Sequence, residues 1–261
     1  MTKARSIGER LIEEARAFVR AGMVFLPIWI VFNTVGWAQY SIPSESMAPT
    51  LEVGDRVLVS KWAYGYSRFS APIVWRFLPP GDGRVLSSSP RRGDVVVFAH
   101  PRDGRTMIKR LVGLPGDVVE MRAGRLVVNG DLASYARVRE VVRLPPGEKS
   151  LFRAYNAEEQ AERVDGREHL TLDIDPAGIG DRWGPMAVPE GHFLFMGDNR
   201  DNSDDGRFAD MGFVSSERLI GRAETVIFAP RGCAPSPEVS CFRSRFLKPL
   251  ARDVEPVGAA S

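Results

Sequence analysis

Short apolar runs separated by polar turns dominate the chain after residue 45. The runs are rich in Val, Ile, Leu and Phe and are bounded by Gly, Asp, Asn or Pro, a pattern typical of β-strands. It predicts strands at 56–60, 94–98, 107–112, 118–121, 126–128, 192–196 and 222–228. Ala123-Gly124 lies between two of these runs and predicts a hairpin. We therefore expect a predominantly β body.

The N-terminal region has a different pattern, because residues 21–44 carry no charge. At about 1.5 Å per residue, such a stretch can cross a hydrocarbon core of about 30 Å as a helix. We predict one transmembrane anchor at 21–40, preceded by a leader at 1–20. Five basic residues against three acidic ones in the leader predict a cytoplasmic N-terminus and an exported body. The alternative is a cleavable signal peptide, since Gly36 and Ala38 suit a cleavage site.

The segment 131–190 is polar, with 20 charged residues among 60. We expect an inserted, exposed subdomain there, between the two parts of a catalytic β domain at 41–130 and 191–230. Within the segment, Asn156 followed by Glu159 resembles a capping box and predicts a short helix through Val164. The remainder, 231–261, is predicted to be a peripheral tail.

Composition and charge exclude several classes of function. A net charge of +2 is too small for a nucleic-acid-binding protein, and no clustered basic stripe appears. The three His and two Cys are not at metal-ligand spacing, so we expect neither a metal nor a cofactor. In an exported body, Cys233 and Cys241 could form a disulfide, and two free thiols are the alternative.

Two serines flank Glu45 directly after the predicted anchor, with Pro43 and Pro49 on either side. A serine nucleophile needs a base that accepts its proton. No histidine of the chain lies in a GxSxG or comparable context. By itself the segment could also be an ordinary polar linker.

Lys109 is a candidate base because it lies inside the apolar run at 107–112. In a strand, Met107, Lys109 and Leu111 share one face. Burial disfavours the charged ammonium and lowers the pKa of a lysine, which makes the amine a usable base near neutral pH. A surface lysine whose charged end reaches solvent is the alternative.

A third cluster, 197–207, has the sequence GDNRDNSDDGR. It is rich in oxygen ligands, but Arg200 and Arg207 interrupt it and no Glu closes it as an EF-hand requires. Alternating Asp and Arg favour a loop that is paired internally and positions other groups.

These clusters, in this order after an anchor, resemble the type I signal peptidases of bacteria. The matching stretches are IPSESMAPTLEVG with DRVLVSKWAYG (42–65), RGDVVVF (92–98), IKRLVGLPGD (108–117) and GDNRDNSDDGR (197–207). The resemblance implies a fold of coiled antiparallel sheets with an N-terminal transmembrane helix and an inserted subdomain.

The resemblance also implies site residues. Ser46 matches the nucleophile and Lys109 the general base, which together form a Ser/Lys dyad. The side chain of Ser44 matches an oxyanion-hole donor that acts with the backbone N–H of Ser46. The remaining matches are Ser203, which orients the lysine, Asp205 and Arg207, which form a structural ion pair, and Gly197, which lies near the lysine.

The implied activity is that of a membrane-bound serine endopeptidase that removes signal peptides from exported preproteins. Its partners would be preprotein signal peptides and the lipid bilayer, and its location the bacterial inner membrane, single-pass, with the catalytic domain on the exported side. We expect the substrate to bind as an added strand, beside the segment leading to Ser46 and near 94–98, with small residues such as Ala in apolar pockets.

Two alternatives belong to other classes. One is a Ser/Lys peptidase that processes proteins of a conjugation system. The other is a catalytically inactive, membrane-tethered binding module, and the presence of Ser46, Lys109, Ser44 and Ser203 argues against it. A self-cleaving repressor would need an N-terminal DNA-binding domain, for which residues 1–45 leave no room beside an anchor.

Overall fold

The computed structural model describes residues 7–71, 83–145 and 154–229, together with Leu247 and Leu250. This part of the chain contains one α-helix, α1 (Ile7–Val31), and is otherwise predominantly β. The strands are β1 (Trp37–Ser41), β2 (Arg56–Ser60), β3 (Val95–Ala99), β4 (Thr106–Gly113), β5 (Val118–Arg122), β6 (Arg125–Val128), β7 (Asp131–Leu132), β8 (Ser134–Arg143), β9 (Tyr155–Val164), β10 (Arg167–Asp173), β11 (Arg182–Ala187), β12 (His192–Met196), β13 (Val214–Ser215) and β14 (Leu219–Phe228). All seven strands predicted from the apolar runs are confirmed, and β2 and β12 have the predicted bounds.

The largest sheet has seven antiparallel strands in the order β1-β2-β14-β3-β4-β12-β13. Its central strand β3 has the sequence VVVFA and is buried along its whole length. Alternate β3 side chains enter two different apolar clusters, Val95 and Val97 in one and Val96 and Phe98 in the other. The sheet therefore has an apolar core on both faces, which explains the uninterrupted apolar sequence of its centre.

A four-stranded sheet, β11-β5-β6-β7, packs against the end of the largest sheet formed by β4 and β12. The predicted hairpin between β5 and β6 is confirmed. Its turn residues Ala123 and Gly124 both have positive φ, 48° and 75°, as a two-residue hairpin turn with the twist of the flanking strands requires.

The third sheet consists of β10, β9 and β8 and lies within the segment predicted as an insertion. The helix predicted from Asn156 to Val164 is wrong, because Tyr155–Val164 forms β9, the central strand of this sheet. Cross-strand pairs of opposite charge, such as Arg139 with Glu159 at 2.7 Å, stabilise the pairing of β8 with β9. The sequence does not predict this pairing, because the two strands lack a regular alternation of apolar and polar residues. The bounds of the insertion, 131 and 190, stay a prediction. The first and last strands of this segment, β7 and β11, belong to the neighbouring sheet, where β7 pairs with β6 and β11 with β5.

The N-terminal helix differs in its bounds from the anchor predicted at 21–40. It begins at Ile7, inside the charged leader, and continues through a π-helical turn at Phe32–Gly36. Residues 37–40 are not helical, because Trp37–Ser41 pairs with β2 as an edge strand. None of the helices in the described residues combines the length and apolar character that crossing a bilayer requires.

The C-terminal predictions fall mostly outside the described residues. Cys233 and Cys241 both lie there, so the disulfide stays a prediction. Two described residues of the predicted tail contact β14: the N–H of Leu247 donates to Val226 O at 2.7 Å, and that of Leu250 donates to Glu224 O at 3.0 Å.

Candidate active site

Ser46 lies in a 3-10 turn, Glu45–Met47, in the connection between β1 and β2. Apolar neighbours on both sides of the turn, Ile42, Met47 and Leu51, are buried in the same core cluster. Ser46 itself is only half-buried. The alternation of apolar and polar residues in this segment thus fixes the turn to the core and leaves the serine accessible.

The two serines of the segment lie next to each other. The hydroxyl oxygens of Ser44 and Ser46 are 3.3 Å apart, within hydrogen-bond distance, and Ser44 is exposed. The extended backbone of Ser44, with φ −136° and ψ 162°, carries the chain into the turn. Ser44 thus places an exposed hydroxyl beside that of Ser46.

Lys109 is buried, with 2% of its surface exposed, in the middle of β4 opposite Val96. The alternative of a surface lysine is therefore wrong. Burial lowers the pKa of Lys109 to about 8, although the carboxylates of Asp205, Asp204 and Asp198 act in the opposite direction. A lysine in this state holds an unprotonated amine at mildly alkaline pH, which is what a general base requires.

The loop at 197–207 is held by a buried ion pair. Asp205 and Arg207 are both fully buried as side chains, with 2.9 Å between Oδ2 of Asp205 and Nη2 of Arg207. The backbone N–H of Gly197 donates to Oδ2 of Asp205 at 3.0 Å. Burial alone would raise the pKa of Asp205, but the charge and hydrogen bonds of Arg207 outweigh it and the pKa is lowered. The aspartate is thus a fixed negative charge close to Lys109.

Gly197 brings together the loop at 197–207 and the turn that carries Ser46. A Cβ placed on Gly197 would lie 2.2 Å from the hydroxyl oxygen of Ser203 and 2.4 Å from the carbonyl oxygen of Ser46. Both groups therefore pack directly against the glycine Cα. Ser203 is buried, and its hydroxyl has no hydrogen-bond partner among the described residues. Gly197 follows β12, whose Met196 pairs with Arg110, so the glycine and Lys109 lie on neighbouring strands. Since the Ser203 hydroxyl makes no hydrogen bond to Lys109, the lysine-orienting role of Ser203 stays a prediction.

A second buried ion pair in the site was not predicted. Arg110 donates from Nε and Nη2 to the two carboxylate oxygens of Asp198, at 2.7 and 2.6 Å. The hydroxyl of Thr50 also donates to Asp198. A signal for this pair existed in the sequence, since an arginine inside a buried apolar run needs a charged partner. The pair ties β4 to the loop at 197–207.

The structure corrects one expectation about the substrate. A strand was expected to add near 94–98, but β3 is already paired on both edges, with β4 on one side and β14 on the other. The edge strand β1, in contrast, pairs only with β2 among the described strands. Strand addition at the segment leading to Ser46 stays a prediction.

Comparisons with known proteins define the class. Residues 15–228, which include all the site residues above, match the family described as "Signal peptidase, peptidase S26". The chain is therefore a peptidase, a serine hydrolase with a predominantly β fold. It belongs to the signal peptidase family.

Relatives of this chain are named signal peptidase I. The chain is 37% identical over 237 residues to "Signal peptidase I" of Pseudomonas aeruginosa, covering 85% of this chain and 75% of that protein. It is 34% identical over 211 residues to "Signal peptidase I" of Rickettsia typhi, covering 78% and 76%. A crystal structure of a signal peptidase I from Enterococcus faecalis V583 has 26% identity and a TM-score of 0.30, covering 52% of this chain and 97% of that one.

Proposed function

We propose that this peptidase cleaves signal peptides from preproteins with Ser46 as nucleophile and Lys109 as general base. The observation that carries the proposal is the burial of Lys109 beside the loop whose Gly197 contacts the carbonyl of Ser46. In this environment a lysine loses its proton far more readily than in water. No other lysine of the described residues lies in the core.

The proposed reaction follows from the groups present. The neutral amine of Lys109 takes the hydroxyl proton of Ser46, and Oγ attacks the scissile carbonyl carbon. The negative charge on the carbonyl oxygen is met by the hydroxyl of Ser44 and the backbone N–H of Ser46. Lys109 then gives its proton to the leaving amine, and a water molecule hydrolyses the acyl-enzyme with Lys109 again as base.

The substrate segment is proposed to bind in extended form. The chain leading to Ser46 forms one wall, since β1 is an edge strand. The start of β4 forms the other, because β12 pairs with β4 only from Arg110 onward. Among the described strands, Thr106–Lys109 is therefore paired on one edge only, by β3. Backbone hydrogen bonds to such edges do not depend on the substrate sequence. Specificity for the cleavage site therefore comes from pockets that accept small side chains.

We further propose that the N-terminal segment holds the enzyme at the bacterial inner membrane, with the catalytic domain on the exported side. Support comes from the second half of α1, whose large apolar side chains are exposed, among them Met23, Phe25 and Trp29. An exposed apolar surface of this kind is costly in water and is typical of contact with lipid or protein. Retention of the intact chain in the membrane fraction after an alkaline carbonate wash tests this.

Activity is expected to rise with pH. Only the unprotonated amine of Lys109 accepts the serine proton, so kcat/KM on a synthetic signal-peptide substrate should increase about tenfold per pH unit below the pKa of Lys109, near 8, and level off above it. The measurement is a pH profile with the cleaved bond identified by mass spectrometry. An acid limb centred near pH 6.5 instead would indicate a histidine base and contradict the proposal.

Gly197→Ala is expected to reduce kcat/KM by about 100-fold, because the new Cβ would displace the Ser46 carbonyl or the Ser203 hydroxyl. The matched control is Gly113→Ala at the end of β4, where a Cβ would meet core side chains, such as Leu194 at 2.9 Å. The control should lose stability by about 1–3 kcal/mol and keep its activity. Equal loss of activity in both variants would contradict the prediction, because it would show that Gly197 affects activity only through general packing.

A further inference from the structure

The sheet formed by β8, β9 and β10 contacts the nucleophile turn at one end. Arg143 and Tyr155 are cross-strand partners at that end of the β8–β9 pair. Nη2 of Arg143 donates to both carboxylate oxygens of Glu52, at 2.7 and 2.6 Å, and lies 3.9 Å from the carboxylate of Glu45. The hydroxyl of Tyr155 lies 3.4 Å from both oxygens of Glu45. The residue directly before Ser46 is thus buried against this sheet.

The same sheet contacts the loop at 197–207 through its backbone. The N–H of Leu172 in β10 donates to Asp198 O at 2.8 Å, and the N–H of Arg200 donates to Leu172 O at 3.0 Å. Asn199, held between these two bonds, donates its own N–H to the carbonyl oxygen of Ser46 at 3.2 Å. The backbone of β10 therefore reaches the nucleophile through a single intervening residue.

A buried ion pair reinforces this second contact. Glu162 of β9 and Arg200 lie 2.7 Å apart, with 0% and 5% of their side chains exposed. The carbonyl of Arg200 in turn accepts a hydrogen bond from Arg207, the partner of Asp205. The ion pair is thus connected to the fixed negative charge beside Lys109.

Apolar packing joins the two contacts. Ala48, two residues after Ser46, is fully buried in a cluster with Val141 of β8, Ala157 of β9 and Leu172 of β10. Residues of all three strands thus share an apolar cluster with the segment that follows Ser46.

We propose that this three-stranded sheet is a positioning element that holds the turn bearing Ser46 and the loop bearing Ser203 and Asp205 in a fixed relation, with Arg143 and Glu162 as its positioning residues. The inference rests on the proposed function, since it concerns how the Ser46 and Lys109 groups are aligned. Catalytic groups misplaced by about 1 Å can lose 100-fold in rate, so an element that bridges two active-site loops controls turnover. Buried ion pairs suit this task, because their requirement for a partner specifies one geometry even where they add little stability.

The first test compares two arginines of β8. Arg143→Leu removes the link to Glu52 and Glu45, whereas the control Arg139→Leu removes a pair with Glu159 that stays inside the sheet. We expect Arg143→Leu to lower kcat by about 10- to 100-fold with KM within about twofold, Arg139→Leu to change neither, and Arg143→Lys to restore part of kcat.

The second test uses a double variant, Glu162→Gln with Arg200→Met, called the neutral pair. It removes both charges of the ion pair, so neither is left buried without a partner. The backbone carbonyl of residue 200 still accepts the hydrogen bond from Arg207. Loosening of the loop should admit water to Lys109, which Asp205, Asp204, Asp198 and Arg207 face. The acid limb of the pH profile should then move to higher pH, toward the pKa of an exposed lysine. This variant also serves if Arg143→Leu does not fold.

The two proposals fail in different ways. Normal kcat in Arg143→Leu together with an unshifted pH profile in the neutral pair overturns the positioning role. If the dyad assignment itself is wrong, either Ser46→Ala or Lys109→Met keeps its activity, whatever these variants do.

Discussion

Ser46→Ala is expected to abolish peptide cleavage, with kcat reduced by about 10⁶-fold, because the proposed acyl-enzyme forms on the Ser46 hydroxyl. The side chain lost is small and half-buried, and its described hydrogen bond is to the exposed Ser44. We therefore expect the thermal unfolding transition to be unchanged. The measurement is single-turnover cleavage of a synthetic signal-peptide substrate, followed by mass spectrometry.

Two other serines provide graded controls for this result. Ser44→Ala removes the proposed oxyanion donor and should lower kcat by about 10²- to 10³-fold. Ser87→Ala, at an exposed serine in the connection between β2 and β3, should leave kcat unchanged. Residual turnover in Ser46→Ala equal to that in Ser87→Ala would assign the nucleophile to another residue.

Lys109→Arg is expected to reduce kcat/KM by about 10²- to 10⁴-fold although the positive charge is kept. A guanidinium stays protonated even when buried, so it cannot accept the proton of Ser46 at any working pH. The acid limb near pH 8 should disappear along with the activity, because it belongs to the amine. Lys109→Met, which removes the base without adding a buried charge, should be equally inactive and guards against misfolding of the arginine variant.

Lys61 offers a matched control for the lysine substitution. It is a half-buried lysine whose pKa is also lowered by burial, and its ammonium donates to the carbonyl oxygen of Thr34 at 3.0 Å. An arginine can make the same hydrogen bond, so Lys61→Arg should retain activity. Near-normal turnover in Lys109→Arg would reopen the search for the base.

Sequence reasoning found the parts of the fold in which burial dictates composition. The continuous apolar runs of β2, β3 and β12 predict buried strands, because a strand that is buried on one or both faces needs apolar residues. The same reasoning makes Lys109 a candidate base, since it is the single lysine within an apolar run that predicts a strand. The start of α1 was missed because the charged leader simply continues the helix.

The parts it did not find are stabilised by partners distant in sequence. β8 and β9 are rich in charged residues, which is typical of an exposed segment, and Asn156 with Glu159 resembles a helix start. Their strand conformation depends on pairing with each other and with β10, which a local pattern does not encode. For the same reason the pairs Arg110–Asp198 and Glu162–Arg200, separated by many residues, became visible only in three dimensions.

Only three residues, 42–44, separate the end of β1 from the turn that carries Ser46, and β1 begins directly after the π-helical turn. At about 3.3 Å per residue, this connection holds Ser46 within roughly 30 Å of the end of the helical segment. If that segment lies in the bilayer as proposed, the enzyme works at one fixed height above the lipid. It then selects the bond to be cut by the distance of that bond from the membrane surface as well as by its side chains.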